Sequence, residues 1–144
     1  MNRRLKLQQV LEPDAPPSET LEQESLQRLE EEAEQAFRCG QYEIGRNKYL
    51  ILTDQKPDEA KYWRGLGKAQ SGCADWEQAR FAFLKGAEID PMEPAAVLGL
   101  FECYRRMGKR EAAMSALNVA QAICHCDEKH FNLLDRIEVL RTTF

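Results

Sequence analysis

An all-α solenoid of three repeated helix pairs, closed by one further helix, is the fold the sequence predicts, and three observations predict it. Ala, Glu, Leu, Lys and Gln are abundant while strand-type alternation is nearly absent, within a hydrophobic content of 43% over 144 residues. The chain is self-similar without gaps at the interval that separates Pro57 from Pro91, 34 residues. A turn recurs in the same register, as Gly40-Gln41-Tyr42, Ser71 to Asp75, and Gly108-Lys109-Arg110.

The middle repeat, Ala60 to Pro91, fixes the register. Trp63, Leu66, Gly67 and Gln70 share one face of a first helix, and Ala79, Phe83 and Gly86 share one face of a second. Small residues at Gly67, Ala79 and Gly86 let the two backbones approach, with Trp63 and Phe83 filling the space beside them, and Pro91 ends the unit. One period upstream stand Leu29, Glu32, Ala33, Ala36, Gly45, Tyr49, Leu52 and Pro57. One period downstream stand Val97, Leu100, Phe101, Tyr104, Ala113, Leu117 and Ala120.

The elements follow in order. Residues 1–19, with Pro13, Pro16 and Pro17, read as a flexible N-terminal arm, and 20–144 as the three-repeat domain. Thr20 to Gln23 has the spacing of a capping box and predicts a helix running to about Cys39, whose Glu30, Glu31, Glu32 and Glu34 make an acidic, solvated face. Gly40 is expected in a left-handed cap. The next helix, Tyr42 to Thr53, is expected to bury Ile44, Tyr49, Leu50 and Leu52. Asp75 to Gln78 reads as a second capping box, with Trp76 folded over the turn. Glu93 to Met107 and Arg110 to about Cys124 form the third pair, entered through Pro94. Asp127 is placed to cap a final helix over 128–143, whose Phe131, Leu133, Leu134, Ile137, Leu140 and Phe144 cover the apolar end of the stack.

Several chemistries are disfavoured. A net charge of -4 argues against a nucleic-acid or membrane-surface role, and no apolar run has the length of a membrane span, so the expected partners are proteins and the expected compartment is the cytosol. Five cysteines without framework spacing fit reduced thiols. Cys124, His125, Cys126 and His130 are the one group of metal-ligand types, but Cys-x-Cys lacks the separated pairs of a structural zinc site, and no metal or cofactor is expected. Gly65-Leu66-Gly67 belongs to the helix seam rather than to a phosphate loop, and no nucleophile stands in a strand-to-helix elbow. No enzyme is read here.

What remains is a curved surface lined by the first helix of each pair. Once the seam residues are assigned, its inner face carries Glu30, Glu34 and Phe37, then Tyr62, Arg64, Lys68 and Ser71, then Leu98, Glu102 and Arg105. Such a face suits an extended peptide with apolar anchors and polar side chains bonded to its main chain.

The residues Trp63, Leu66, Gly67, Ala79, Phe83, Gly86 and Pro91 resemble the tetratricopeptide repeat, with Gln70 where that pattern has Tyr. Gly40-Gln41-Tyr42, Trp63 to Gly67, Gly86 to Asp90, Glu93-Pro94, Glu102-Cys103-Tyr104, Gly108 and Leu117 to Gln121 go further. They make residues 26 to 143 look like the class II chaperones of bacterial type III secretion. The resemblance implies a cytosolic protein that keeps hydrophobic translocators soluble before export. It also implies that a short Pro/Leu-containing client segment lies in the concave groove, and that the chain forms a homodimer through its N-terminal region. It adds Tyr42 and Phe83 to the expected partner-binding residues, as aromatic groove positions beside Phe37. Glu30 and Glu34 stand where that family has apolar residues, which implies a more polar or basic client or a groove shifted toward the second and third repeats. The alternative is a repeat adaptor in a larger assembly, co-chaperone-like or part of a secretion apparatus. The acids at Glu30 and Glu34 oppose the basic carboxylate clamp that a co-chaperone needs.

Overall fold

A computed structural model describes residues 18–144, and among these every regular element is helical. In chain order they are α1 (Ser18–Arg38), α2 (Tyr42–Gln55), α3 (Ala60–Gly72), α4 (Trp76–Ile89), α5 (Pro94–Arg106) and α6 (Arg110–Cys126), then a 3-10 segment (Glu128–Leu133) and α7 (Leu134–Thr143). Each helix packs on the next, and α3 also meets both α1 and α5. The first helices of the pairs therefore lie on one side of the stack, the inner side of a tetratricopeptide-type solenoid.

The turn inside each pair is built the same way three times. Gly40, Ala74 and Gly108, one period apart, adopt φ of 77°, 58° and 73°. The amide after each reaches back to Ala36, Gln70 and Tyr104 carbonyls at 2.8, 3.0 and 2.8 Å, while their own amides bond Phe37, Ser71 and Arg105 carbonyls. These paired bonds satisfy carbonyls that the helix end leaves free. Between pairs the chain repeats another device. Lys56 and Asp90 donate to Leu52 and Gly86 carbonyls, and a proline follows each.

The capping expectations fare unevenly. Glu93 and Asp127 accept from the amides of Ala95 and Lys129 at 3.3 and 3.2 Å. Asp75 makes no side-chain cap bond, because the turn closed through Ala74 already holds the start of α4. Among the described residues helix α1 already runs from Ser18, so Thr20 lies inside it rather than at its cap. The rest of the expected N-terminal arm, residues 1–17, lies outside the described residues.

The apolar interior divides into two clusters. Ala33, Tyr49, Leu52, Tyr62, Leu66, Ala69 and Ala82 form the first, between α1 and α4. Phe83, Val97, Leu100, Phe101, Leu117, Ile123 and Ile137, with smaller residues, form the second, between α4 and α7. Ile44 and Leu50 were expected inside but are exposed, since the buried stripe of α2 runs through Gly45, Tyr49, Leu52 and Thr53 and they fall to either side of it. Trp63 sits at the rim of the first cluster, its indole N–H donating to the Pro57 carbonyl at 2.8 Å and its ring edge-on to the exposed Phe81. Trp76 packs on the second cluster beneath the Arg106 guanidinium, 5.4 Å away.

The closing element starts as a 3-10 segment and becomes α-helical only at Leu134. Ile137 is fully buried, Leu133, Leu134, Leu140 and Phe144 pack around it, and Phe144 meets Phe101 edge-on at 5.6 Å. Phe131 turns outward instead, because the tighter 3-10 geometry rotates it off the apolar stripe.

Candidate functional site

Two adjoining cavities open along the inner side, of about 500 and about 340 Å³, and both are lined by Phe37 and Lys68. In the larger, Phe37 and Tyr42 stand edge-on at a ring separation of 5.5 Å and form one wall. Phe83 is the floor, and Ala95, Leu98 and Gly99 of α5 with Leu133 form the opposite wall. Ser71, Glu102 and Arg136 supply its polar groups beside Lys68.

Glycines on the inner helices make room for these rings. A Cβ at Gly72 would lie 2.3 Å from the Tyr42 ring; at Gly67 and Gly99 it would lie 2.8 and 2.5 Å from the Phe83 ring, which is thus seated between α3 and α5. Tyr49 sits on Gly65 in the same manner, at 2.3 Å, and one period on Phe83 sits on Gly99. Tyr42, Tyr49 and Phe83, all on outer helices, therefore rest on bare stretches of the next inner helix.

The smaller cavity is lined by Glu34, Arg38, Tyr49, Lys61, Arg64 and Gly65 as well as the shared residues. Burial, with the charges of Glu34 and Glu30 nearby, pushes the Tyr49 hydroxyl up to about 12, so it stays neutral. Glu34 lies 3.7 Å from Arg38. One Arg64 guanidinium nitrogen is buried with no hydrogen-bond partner among the described residues.

Three expected groove residues are placed otherwise. Tyr62 is buried in the first core cluster, and its hydroxyl donates to Glu30 at 3.3 Å while Lys61 lies 3.4 Å from the same carboxylate. Glu30 is thus committed to its neighbours, because α1 and α3 pack closely enough for its side chain to bridge them. Arg105 lines neither cavity and forks onto Glu102 at 2.7 and 3.0 Å. Arg106 bonds the same carboxylate at 2.9 Å. Burial raises the pKa of Glu102, but the hydrogen bonds from Arg105 and Arg106 outweigh it and leave the carboxyl below its ordinary value.

Phe37, Tyr42, Lys68, Ser71, Phe83, Leu98 and Glu102 come together in the larger cavity, with Glu34 and Arg64 in the smaller. Sequence reasoning missed Gly72, Ala95, Gly99, Leu133 and Arg136. The signal for the last two was the repeat itself: one more step of 34 carries Gly99 to Leu133 and Glu102 to Arg136. The closing element takes the place of a fourth inner helix as well as that of a lid on the core.

The Cys124, His125, Cys126 and His130 group is not gathered. Cys124 and His130 are buried, His125 and Cys126 are exposed, and no three metal-ligand side chains cluster among the described residues. No helix among them is long and apolar enough to cross a membrane.

No family model and no curated protein matches the chain. Solved structures do. PcrH of Pseudomonas aeruginosa, crystallised with the chaperone binding region of PopB, matches with a TM-score of 0.77 at 23% identity, over 81% of this chain and 94% of that one. The type III secretion translocator chaperone SycD of Yersinia enterocolitica matches with a TM-score of 0.80 at 21% identity, over 85% and 91%. SycD bound to a peptide of the translocator YopD matches with a TM-score of 0.68 at 21% identity, over 82% and 95%. The fold of this chain, three helix pairs with a closing helix, is similar to that of the type III secretion translocator chaperones throughout its repeats.

Proposed function

We propose that this protein is a cytoplasmic type III secretion chaperone that keeps a hydrophobic translocator soluble before export by holding an extended client segment in the inner groove. The observation that carries this is the larger cavity: Phe37, Tyr42, Phe83, Leu98 and Leu133 present apolar surface on the inner side of a fold whose solved examples include complexes with translocator peptides. Covering a client's exposed apolar area contributes roughly 25 cal/mol per Å². The site has anchors and polar rims but no constellation for bond-making chemistry, and the protein acts by binding alone.

Co-expression with a candidate translocator from the same operon tests the reading. The client stays soluble with the wild-type chain and precipitates with Phe37→Ala/Leu98→Ala, whose helicity is unchanged; binding weakens about tenfold or more. A client equally insoluble with and without the wild-type chain overturns it. Residues 18–144 are proposed as the binding unit, since Ser18 and Glu19 belong to α1 rather than to the expected arm of 1–19, and 1–17 as an arm for self-association, SycD having been crystallised as a dimer. Removing the arm then changes the oligomeric state in sedimentation and spares client binding.

A further inference from the structure

The repeat register lines up one position on each inner helix: Glu34, Lys68, Glu102 and Arg136, each 34 residues from the next. The signs alternate along the groove, but the two kinds of charge are not equally available. Glu34 has Arg38 at 3.7 Å, and Glu102 accepts from both Arg105 and Arg106. Lys68 and Arg136 are exposed, line the larger cavity, and form no salt bridge among the described residues. Arg64 adds a third cation in the adjoining cavity, with a guanidinium nitrogen buried and unbonded.

A buried guanidinium donor without a partner is costly to leave so, and a carboxylate is the group that satisfies it best. The acids of the groove are already answered from within the protein, Glu34 by Arg38 and Glu102 by Arg105 and Arg106, while Lys68, Arg136 and Arg64 are not. The chain as a whole carries -4, so this basic strip runs against the charge of the molecule around it. The acids that α1 turns to the groove, Glu30 and Glu34, which suggest a basic client from sequence, are paired with Lys61 and Arg38.

We propose that the segment held in the groove is acidic: an apolar side chain seated against Phe83 and Leu98, flanked by Asp or Glu residues that reach Lys68, Arg136 and Arg64. This rests on the chaperone reading of the groove and names the client chemistry it selects. The apolar anchor supplies affinity, and the flanking carboxylates supply register and discrimination, since a Lys or Arg there would face like charge.

Panning a displayed library of random short peptides on the full chain tests this. Peptides captured by the wild-type protein carry Asp or Glu beside their apolar residues in excess over Lys and Arg by about fivefold. That excess shrinks at high salt and inverts on Lys68→Glu/Arg136→Glu, both exposed positions whose replacement leaves the helical spectrum unchanged. Winners without an acidic excess, or alike on both proteins, overturn the proposal; if Phe37→Ala/Leu98→Ala still abolishes their capture, the groove reading stands without it. No capture by the wild-type chain, or capture indifferent to Phe37→Ala/Leu98→Ala, overturns the groove reading and this inference together.

Discussion

Ala74 holds a left-handed conformation at φ 58°, where the other two repeats have glycine. An L-residue with a Cβ is strained there, by roughly 1 kcal/mol, and glycine is not. Ala74→Gly should therefore raise the unfolding free energy by about 1 kcal/mol in a urea titration, an unusual sign for a change that removes side-chain atoms. The reverse holds at Gly99, where any side chain meets the Phe83 ring at 2.5 Å. Gly99→Ala should cost about 1–3 kcal/mol by overpacking and reshape the cavity floor, so its peptide affinity falls with its stability. Both sites show how far residue-level legibility extends. Gly40 and Gly108 announce their turn by identity, whereas Ala74 is betrayed only by its place in the period. Tyr62 is buried and Trp63 stays at the rim, the reverse of the depths that pattern alone assigns them, because a tyrosine with an acid to bond across the seam can be buried and an indole with a carbonyl at the rim need not be.

At the scale of the element, the helices and their joints follow from the period, the small residues at the seams and the prolines between pairs. The closing element reads as a cover from its apolar residues, and as a fourth inner helix only when the 34-residue step is carried past the third repeat, since its 3-10 start turns Phe131 off a plain helical stripe. Ile137 is its fully buried anchor, and Ile137→Ala should destabilise the protein by about 3 kcal/mol in the same titration. In α5 the depressed pKa of Glu102 has a pH consequence. Because the folded carboxyl titrates below its ordinary value of 4.5, its bonds to Arg105 and Arg106 contribute stability at neutral pH that is lost as pH falls through the lowered value. Glu102→Gln should be less stable than wild type near neutrality by about half a kcal/mol, the group being partly exposed, and the gap should close in acid.

For the whole molecule, the curvature, the inner side and its aromatic floor follow from repeating one helix pair, and that much was written in the sequence. The charge character of the groove was not. It depends on which acids find cations across helix seams, and only packing decides that Glu30 is spent on Tyr62 and Lys61 while Lys68 is left open. The interior is divided at α4, where Ala82 faces one cluster and Ala79 and Phe83 the other. A stack joined there by α4 and by the contact of α3 with α5 opens at that divide first when it is empty. A segment that touches Phe37 and Tyr42 on one side of that joint and Leu98 and Leu133 on the other acts as a splint across a fracture line. Heating the empty protein should separate two calorimetric transitions that merge into one when the groove is filled. Whatever fills the groove and the two halves of the stack would thus steady one another, and its departure would loosen both halves at once.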